Sequence, residues 1–306
     1  MAMTQLILEQ ILNGLQFGLM LFLLAAGLTL VFGIMDMINL AHGSLYMLGA
    51  YLAAMVTQAS GSFLAGIGAA MLGTAMLAAV LEMALLRRLY ARNHLAQVLA
   101  TFALILIANE SVRMIWGVQP VLLNAPDALA GPVRLGGFLY PSYRLLIIAV
   151  GTVIAGLLYV LVTRTRVGMW VRAGASNREM TEALGINVRL LFTAVFAFGA
   201  ALCALAGAML GPLLAVQVGM GESILILAFV VIVIGGIGSI RGALVGSLLV
   251  GLVDTLGRAL LPALLRAAFS PEVASNLGPA LASVLIYVLM AGILFWRPEG
   301  LFPARA

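Results

Sequence analysis

Long apolar stretches alternate with short polar connections along the whole chain. Each stretch has about the 20 residues that an α-helix needs to cross the hydrocarbon core of a bilayer. Lipid offers no hydrogen-bond partners to the backbone, and the alternating pattern of a membrane barrel is missing, so the stretches are predicted to be helices. The predicted stretches are 6–34, 40–58, 62–81, 95–115, 143–163, 192–213, 223–238, 243–262 and 279–296.

Two interruptions leave the number of crossings at eight or nine. The stretch 223–238 is short and ends in three glycines, and the chain is interrupted in a similar way at 35–43. Both features are typical of half-helices or re-entrant segments. The pattern therefore predicts an all-α, polytopic transmembrane bundle, with residues 1–306 forming a single domain.

Composition supports this class and excludes several others. Of 306 residues, 64% are hydrophobic and only 9% are charged, whereas soluble domains have roughly 45–50% apolar and about 25% charged residues. A soluble enzyme, a disordered tail and a nucleic-acid-binding module are excluded. All 16 basic residues are arginine, so neither a phosphate-binding P-loop nor a lysine Schiff base is available. One cysteine and two histidines leave little for a metal site, and we predict no metal and no cofactor.

The arginines predict the orientation of the chain in the membrane. They cluster at 87–92, at 164–189 and at 297–305. Cytoplasmic loops carry an excess of basic residues, and an even number of predicted spans separates the three clusters. The clusters and the C-terminus are therefore predicted to be cytoplasmic and the N-terminus external. The Pro- and Gly-rich segment 116–142 is predicted to be an external loop.

The longest polar segment, 164–191, contains signals for one short helix. Ser176 and Glu179 have the spacing of a capping box, and Gly185 can adopt the left-handed conformation that ends a helix. A helix of about eight residues is marginal in water unless it docks onto something. Docking to a partner and a solvated amphipathic loop both remain open from the residues alone.

Polar side chains also mark the first break. Asn39, His42 and Ser44 lie between the first two stretches. Polar groups at such a break usually line a cavity or an aqueous end rather than contact lipid. A transport pathway or gate is one interpretation, and a helix cap at the membrane interface is the other.

The glycines that follow the seventh stretch do not form a phosphate loop, because no strand precedes them and no lysine follows. A flexible connection between two helices near the conducting path fits Gly235, Gly236 and Gly238 better. Several ionisable residues are assigned to the ends of spans, which argues against a proton relay. They include two pairs that can interact across one helical turn, namely Glu110 with Arg113 and Asp254 with Arg258.

Four segments of the chain resemble one known family. The stretch 33–51, which reads GIMDMINLAHGSLYMLGAY, is similar to the N-terminal signature of branched-chain amino-acid ABC transporter permeases of the LivH type. The segments 184–187 (LGIN), 235–239 (GGIGS) and 297–302 (RPEGLF) resemble further motifs of that family, in its order and spacing. The resemblance covers nearly the whole chain.

This resemblance implies one permease subunit of a bacterial inner-membrane importer, embedded in lipid. The implied partners are a second homologous permease, two cytoplasmic ATPase subunits and a periplasmic substrate-binding protein, with no nucleic acid. ATP-driven closure of the ATPases would push on the loop helix and switch the access of the pore. The family's coupling element corresponds here to Glu182, Ala183, Gly185 and Asn187. Its conserved polar pathway segment corresponds to Asn39, His42 and Ser44, and we assign Gly235, Gly236 and Gly238 to the same translocation path.

The substrate is not fixed by the resemblance. Many relatives carry Glu in place of Ser44 and Pro in place of Arg241. Family members also serve urea, amides and aromatic acids, so we expect a branched-chain amino acid or a related small solute. The alternative from another class is an ion-coupled secondary carrier or channel that works without ATPases. An intramembrane enzyme is disfavoured because no HExxH, GxSxG or paired intramembrane carboxylates occur.

Overall fold

The computed structural model describes residues 2–135, 137–267 and 269–302. Within these residues the chain forms helices and one small hairpin. The helices are α1 (Ala2–Met35), α2 (His42–Ser60), α3 (Phe63–Ala84), α4 (His94–Trp116), α5 (Ser142–Arg164), α6 (Arg166–Ser176), α7 (Arg178–Ala183), α8 (Val188–Leu210), α9 (Met220–Gly235), α10 (Ile240–Leu265) and α11 (Pro271–Trp296), with short 3-10 helices at Leu86–Arg88 and Asp127–Leu129. The strands are β1 (Pro132–Leu135) and β2 (Phe138–Pro141).

Each of the nine predicted stretches corresponds to one helix, and the predicted all-α membrane bundle is confirmed. In the described residues, seven helices are long and apolar enough to cross a membrane, namely α1, α3, α4, α5, α8, α10 and α11. The other two stretches form the shorter helices α2, with 19 residues, and α9, with 16. The last stretch was predicted to begin too late, because α11 starts at Pro271, where the first turn of a helix tolerates proline.

Helices α1 and α8 form the centre of the bundle. In α1, 83% of the most apolar segment is buried inside the protein, and in α8 the share is 72%, against 17–22% in the outer long helices. The two central helices cross at Gly27 and Gly199, where a Cβ atom on Gly27 would lie 2.6 Å from the Gly199 carbonyl oxygen. Small residues at such crossings allow the close helix contact that drives packing in membranes.

The two short helices begin inside the bundle. The first residues of α2 and α9 meet where a Cβ atom on Gly43 would lie only 2.3 Å from the Gly221 carbonyl oxygen. Each short helix follows a break after a central helix, α2 after α1 and α9 after α8, and these central helices run in opposite directions. The broken backbone is therefore enclosed by protein, which is where a membrane protein tolerates it.

The bundle has two distinct ends. At one end lie the 3-10 helix after α3, the helices α6 and α7, the turn at 236–239 and the segment after α11, and we call this the arginine-rich end. At the opposite end lie the β1–β2 hairpin and a backbone bridge between Val121 and Val216. The predicted external loop 116–142 therefore contains a paired hairpin and not only turns.

Candidate coupling, pathway and cavity sites

The polar segment between α5 and α8 holds two helices rather than the single predicted one. Helix α6 continues through Ser176, so the predicted capping box is wrong. The residue that caps α7 is Asn177, whose Oδ1 accepts a hydrogen bond from the amide of Met180 at 2.9 Å. Asparagine is a strong N-cap, and it occupies the junction between the two helices. Helix α7 consequently has six residues instead of about eight.

The predicted end of this helix is confirmed. Gly185 has a φ of 85°, and its amide donates to the carbonyl of Glu182 at 3.0 Å. The amide of Ile186 reaches the carbonyl of Thr181 at 3.3 Å, which completes a Schellman motif. Asn187 then caps α8 by accepting from the amide of Leu190 at 3.0 Å. These two residues fix the direction in which the chain re-enters the bundle.

Helix α7 has one face on the bundle and one exposed apolar face. Thr181 is buried, whereas Met180 is 59% and Leu184 is 74% exposed. On the bundle side, the guanidinium of Arg178 lies 4.8 Å from the ring centroid of Phe192 and 6.0 Å from that of Tyr90. These cation–π contacts hold the start of α7 against the bundle. Glu182 and Ala183 are exposed beside the apolar face.

A buried carboxylate lies beneath this contact. Glu82 has no exposed surface and accepts hydrogen bonds from Arg87 at 2.9 Å, from Tyr90 at 2.8 Å and from Thr193 at 2.6 Å. Burial, together with the hydrogen bond to the Glu82 carboxylate, raises the pKa of Tyr90. Because Phe192 packs edge-on against Tyr90, the cluster connects α3, α8 and the α7 contact. From the sequence, Glu82 was only an acidic residue near a span end. Its contact with Thr193 could not be predicted, because the two residues are far apart in the chain.

The polar residues of the first break are enclosed in this conformation. Asn39 and His42 have no exposed surface, and Ser44 is 6% exposed. Asn39 accepts from the amide of Ala41 at 3.0 Å, while its Nδ2 has no partner in the described part of the chain. The Leu24 carbonyl lies near the His42 ring, yet neither ring nitrogen makes a hydrogen bond of acceptable geometry with any described residue. Their access to water during transport stays a prediction.

The three glycines of the predicted pathway have different surroundings. Gly235 contacts Gly242 so closely that a Cβ atom on Gly235 would lie 2.3 Å from the Gly242 carbonyl carbon. Gly236, with a φ of 101°, packs against the segment that follows α11, where the amide of Phe302 donates to the Gly235 carbonyl at 2.9 Å. Of the three, Gly238 lines the cavity of about 850 Å³ at this end of the bundle. The turn is therefore held by the C-terminal segment.

Both predicted ion pairs form, but one of them lies deeper than expected. Glu110 and Arg113 pair at 2.7 Å on the surface. Asp254 and Arg258 pair at 2.8 Å, and Asp254 is buried near the middle of α10 rather than at a span end. Its partner, one helical turn further along, neutralises this charge locally.

A cavity of about 850 Å³ opens at the arginine-rich end. Its walls come from the last two turns of α1, the end of α5, helix α6 and the start of α10. The polar and charged side chains that line it are Thr29, Asp36, Tyr159, Thr163, Arg172, Ser176, Ser239 and Arg241. Sequence reasoning missed this site because its members come from four separate segments, although the left-handed Asp36 lies within the first family motif, 33–51.

Comparison with known proteins gives the family. The family model described as "Branched-chain amino acid transport system / permease component" matches residues 10–294. The high-affinity branched-chain amino acid transport system permease protein BraD of Pseudomonas aeruginosa is 31% identical over 96% of this chain and 95% of its own length. The corresponding LivH protein of Escherichia coli (strain K12) is 31% identical over 95% of this chain and 96% of its own.

A more distant similarity covers half of the chain. The fructose import permease protein FrcC of Rhizobium meliloti is 30% identical over 49% of this chain and 42% of its own length. No solved structure matches. The family match and the seven long apolar helices show a multi-pass membrane transport subunit and not an enzyme. The chain belongs to the family of branched-chain amino acid transport system permease components.

Proposed function

We propose that this chain is the transmembrane permease subunit of a bacterial ATP-binding-cassette importer for a branched-chain amino acid or a related small solute. The permeases BraD and LivH, which it matches over nearly their whole length, carry branched-chain amino acid transport in their names. The similarity to a fructose permease spans only half of the chain. The amino-acid class is therefore the better supported one.

The arginine-rich end is the proposed cytoplasmic end of the protein. The arginines after α3, those in the loop of α6 and α7, and Arg297 after α11 lie at this one end of the bundle. Basic residues accumulate on the cytoplasmic side of inner-membrane proteins. This orientation puts the C-terminus in the cytoplasm and the β1–β2 hairpin outside.

The energy for transport comes from other subunits in this proposal. A chain without lysine lacks the P-loop residue that contacts nucleotide phosphates. The proposed complex holds two cytoplasmic ATPase subunits, a second homologous permease and a periplasmic substrate-binding protein. The outer faces of α3, α4, α5 and α11 are apolar and exposed, which suits contact with lipid and with a second permease.

The observation that carries the proposal is the geometry of α7. A helix of six residues cannot persist alone in water, yet here caps fix both of its ends and Arg178 holds it on the bundle. It presents Met180 and Leu184 outward beside Glu182. A rigid apolar surface at the proposed cytoplasmic end suits an ATPase contact. The proposed coupling residues are Glu182, Ala183, Gly185 and Asn187.

The crossing of the two broken helices is the proposed gate. Asn39, His42 and Ser44 lie beside the contact of Gly43 with Gly221. Nitrogens that are buried without partners are costly, and this cost falls if water or solute reaches them when the helices separate. Movement of α7 can reach this region through Arg178, Phe192 and helix α8.

Charge reversal at α7 tests the proposal. Glu182→Arg removes a 3.9 Å surface pair with Arg178, and the two side chains are 49% and 44% exposed. Such pairs contribute about 0–1 kcal/mol, so the variant is expected to insert and fold. In the assembled importer it should lose ATPase recruitment or solute-stimulated ATP hydrolysis. Glu299→Arg is the matched control, because it reverses an exposed charge at the same end.

Two results would contradict the proposal. Wild-type coupling in the Glu182→Arg importer would mean that α7 is not the ATPase contact. Uptake driven by an ion gradient in vesicles that contain this chain alone, without any ATPase, would instead support the secondary-carrier alternative.

A further inference from the structure

Three charged residues line the cavity at the arginine-rich end without forming ion pairs. The ion pairs among the described residues involve other acids and other arginines. Arg172 donates to the Val162 carbonyl, and Arg241 donates to the Tyr159 hydroxyl at 3.3 Å and lies 5.3 Å from the centroid of that ring. Each arginine has five donors, so most of them remain available. Asp36 is exposed and also unpaired.

The backbone at Asp36 is unusual. Among the described residues it is the one non-glycine residue with a positive φ, at 49°. It follows the last turn of α1 and starts the break before α2. Residues held in such sparsely populated conformations cluster at ligand sites and switch regions. Asp36 therefore ends α1 with its side chain among the groups that line the cavity.

The interior of the cavity is apolar apart from one hydroxyl. Leu30, Ile34 and Val171 are each less than 10% exposed and form its inner wall. Thr29 is 1% exposed, and its Oγ1 has no hydrogen-bond partner in the described part of the chain. This hydroxyl oxygen is covered by protein in this conformation, so the inner wall that a bound molecule would touch is apolar.

We propose that this cavity binds an aliphatic α-amino acid at the cytoplasmic end of the permease. Arg172 and Arg241 contact the carboxylate, Asp36 contacts the ammonium group, and the aliphatic side chain lies against the inner wall. The volume of about 850 Å³ is within the usual range of small-molecule sites and leaves room for water. The inference rests on the proposed function for the amino-acid class and for the orientation.

The charges favour a zwitterion over a phosphate. Two arginines alone would suit phosphate or a lipid phosphate group. Asp36 adds a negative charge at the same mouth, which repels a phosphate dianion and attracts an ammonium group. Occupancy of the site would follow the cytoplasmic concentration of the solute, so it is a site for the transported product.

Binding can be followed by the fluorescence of Trp170, which is next to the wall residue Val171 on α6. The full-length chain, with Trp116→Phe and Trp296→Phe, is placed in phosphatidylcholine nanodiscs. The probes are leucine, 4-methylpentanoate (without the ammonium group), 3-methylbutylamine (without the carboxylate) and inorganic phosphate. We expect saturable binding of leucine that is at least about tenfold tighter than that of either analogue, since each lost charge-assisted contact has about that effect.

Substitutions of the cavity residues test which residue contacts which group of leucine. Arg172→Gln and Arg241→Gln should each weaken leucine binding about tenfold or more. Asp36→Asn should weaken leucine binding and remove the preference for leucine over 4-methylpentanoate. Arg266→Gln is the matched control, because it removes an exposed arginine at the opposite end, and it should leave binding unchanged.

The inference is overturned if leucine gives no saturable response, or if the arginine variants bind it like the wild-type chain. Phosphate binding that exceeds leucine binding would overturn it in favour of an anion or lipid site. ATP-driven leucine uptake by the assembled importer is measured separately. Uptake with no cavity binding refutes only this inference, whereas cavity binding with no ATP-driven uptake refutes the proposed function.

Discussion

The Glu82 cluster should be the main polar contribution to the stability of the arginine-rich end. Glu82→Ala removes one carboxylate that accepts from Arg87, Tyr90 and Thr193. Breaking a buried ion pair costs about 3–5 kcal/mol, and Arg87 is 34% exposed, so partial hydration reduces the expected loss to about 2–4 kcal/mol. Glu82→Gln keeps the shape and one acceptor, and it should cost about 1–3 kcal/mol.

The free energy of unfolding of the purified chain, measured by SDS titration in mixed micelles, tests these values. Glu110→Gln is the control, because its pair with Arg113 is 60% and 48% exposed, and it should change the stability by less than about 0.5 kcal/mol. The double variant Glu82→Leu with Arg87→Leu should recover part of the loss, since it leaves no unpaired charge. If Glu82→Ala is as stable as Glu110→Gln, the cluster does not stabilise this end and the reasoning is refuted.

Three further predictions concern coupling, gating and orientation. Gly185→Val should lower coupled ATP hydrolysis, whereas Gly185→Asn should retain it. The space around the Gly185 Cα is open, so only the φ of 85° penalises a substitution, and it penalises β-branched valine more than asparagine. Equal activity of both variants would contradict this. His42→Leu should reduce transport at a normal level of assembled protein, because the buried ring makes no hydrogen bond with described residues, and normal uptake would favour a structural role. In a Cys203→Ser background, a cysteine that replaces Asn177 should react with impermeant thiol reagents only from the cytoplasmic side. A cysteine that replaces Asp127 should react only from outside. Labelling of the cysteine at position 177 in intact cells would reverse the orientation.

The membrane-spanning elements were predictable because the bilayer fixes their length. Each of the nine apolar stretches is a helix, from Ala2–Met35 to Pro271–Trp296. Helix ends were also predictable where they depend only on adjacent residues, as at Gly185, whose positive φ ends α7. The capping prediction at Ser176 failed because Asn177 is an equally good cap, and only the extent of α6 decides between them.

Tertiary structure alone decided which polar residues share a site. Glu82 meets Thr193 at a separation of 111 residues, and Gly43 meets Gly221 where two half-helices begin. The cavity combines four segments whose charges, including Arg172 and Arg241, looked in the sequence like ordinary loop arginines. In a water-soluble helix the apolar stripe would identify the packed face, but lipid is as apolar as a protein core. The length and apolarity of a segment therefore show that it crosses the membrane. Which helices pack against it is decided by close contacts between residues that are far apart in the chain.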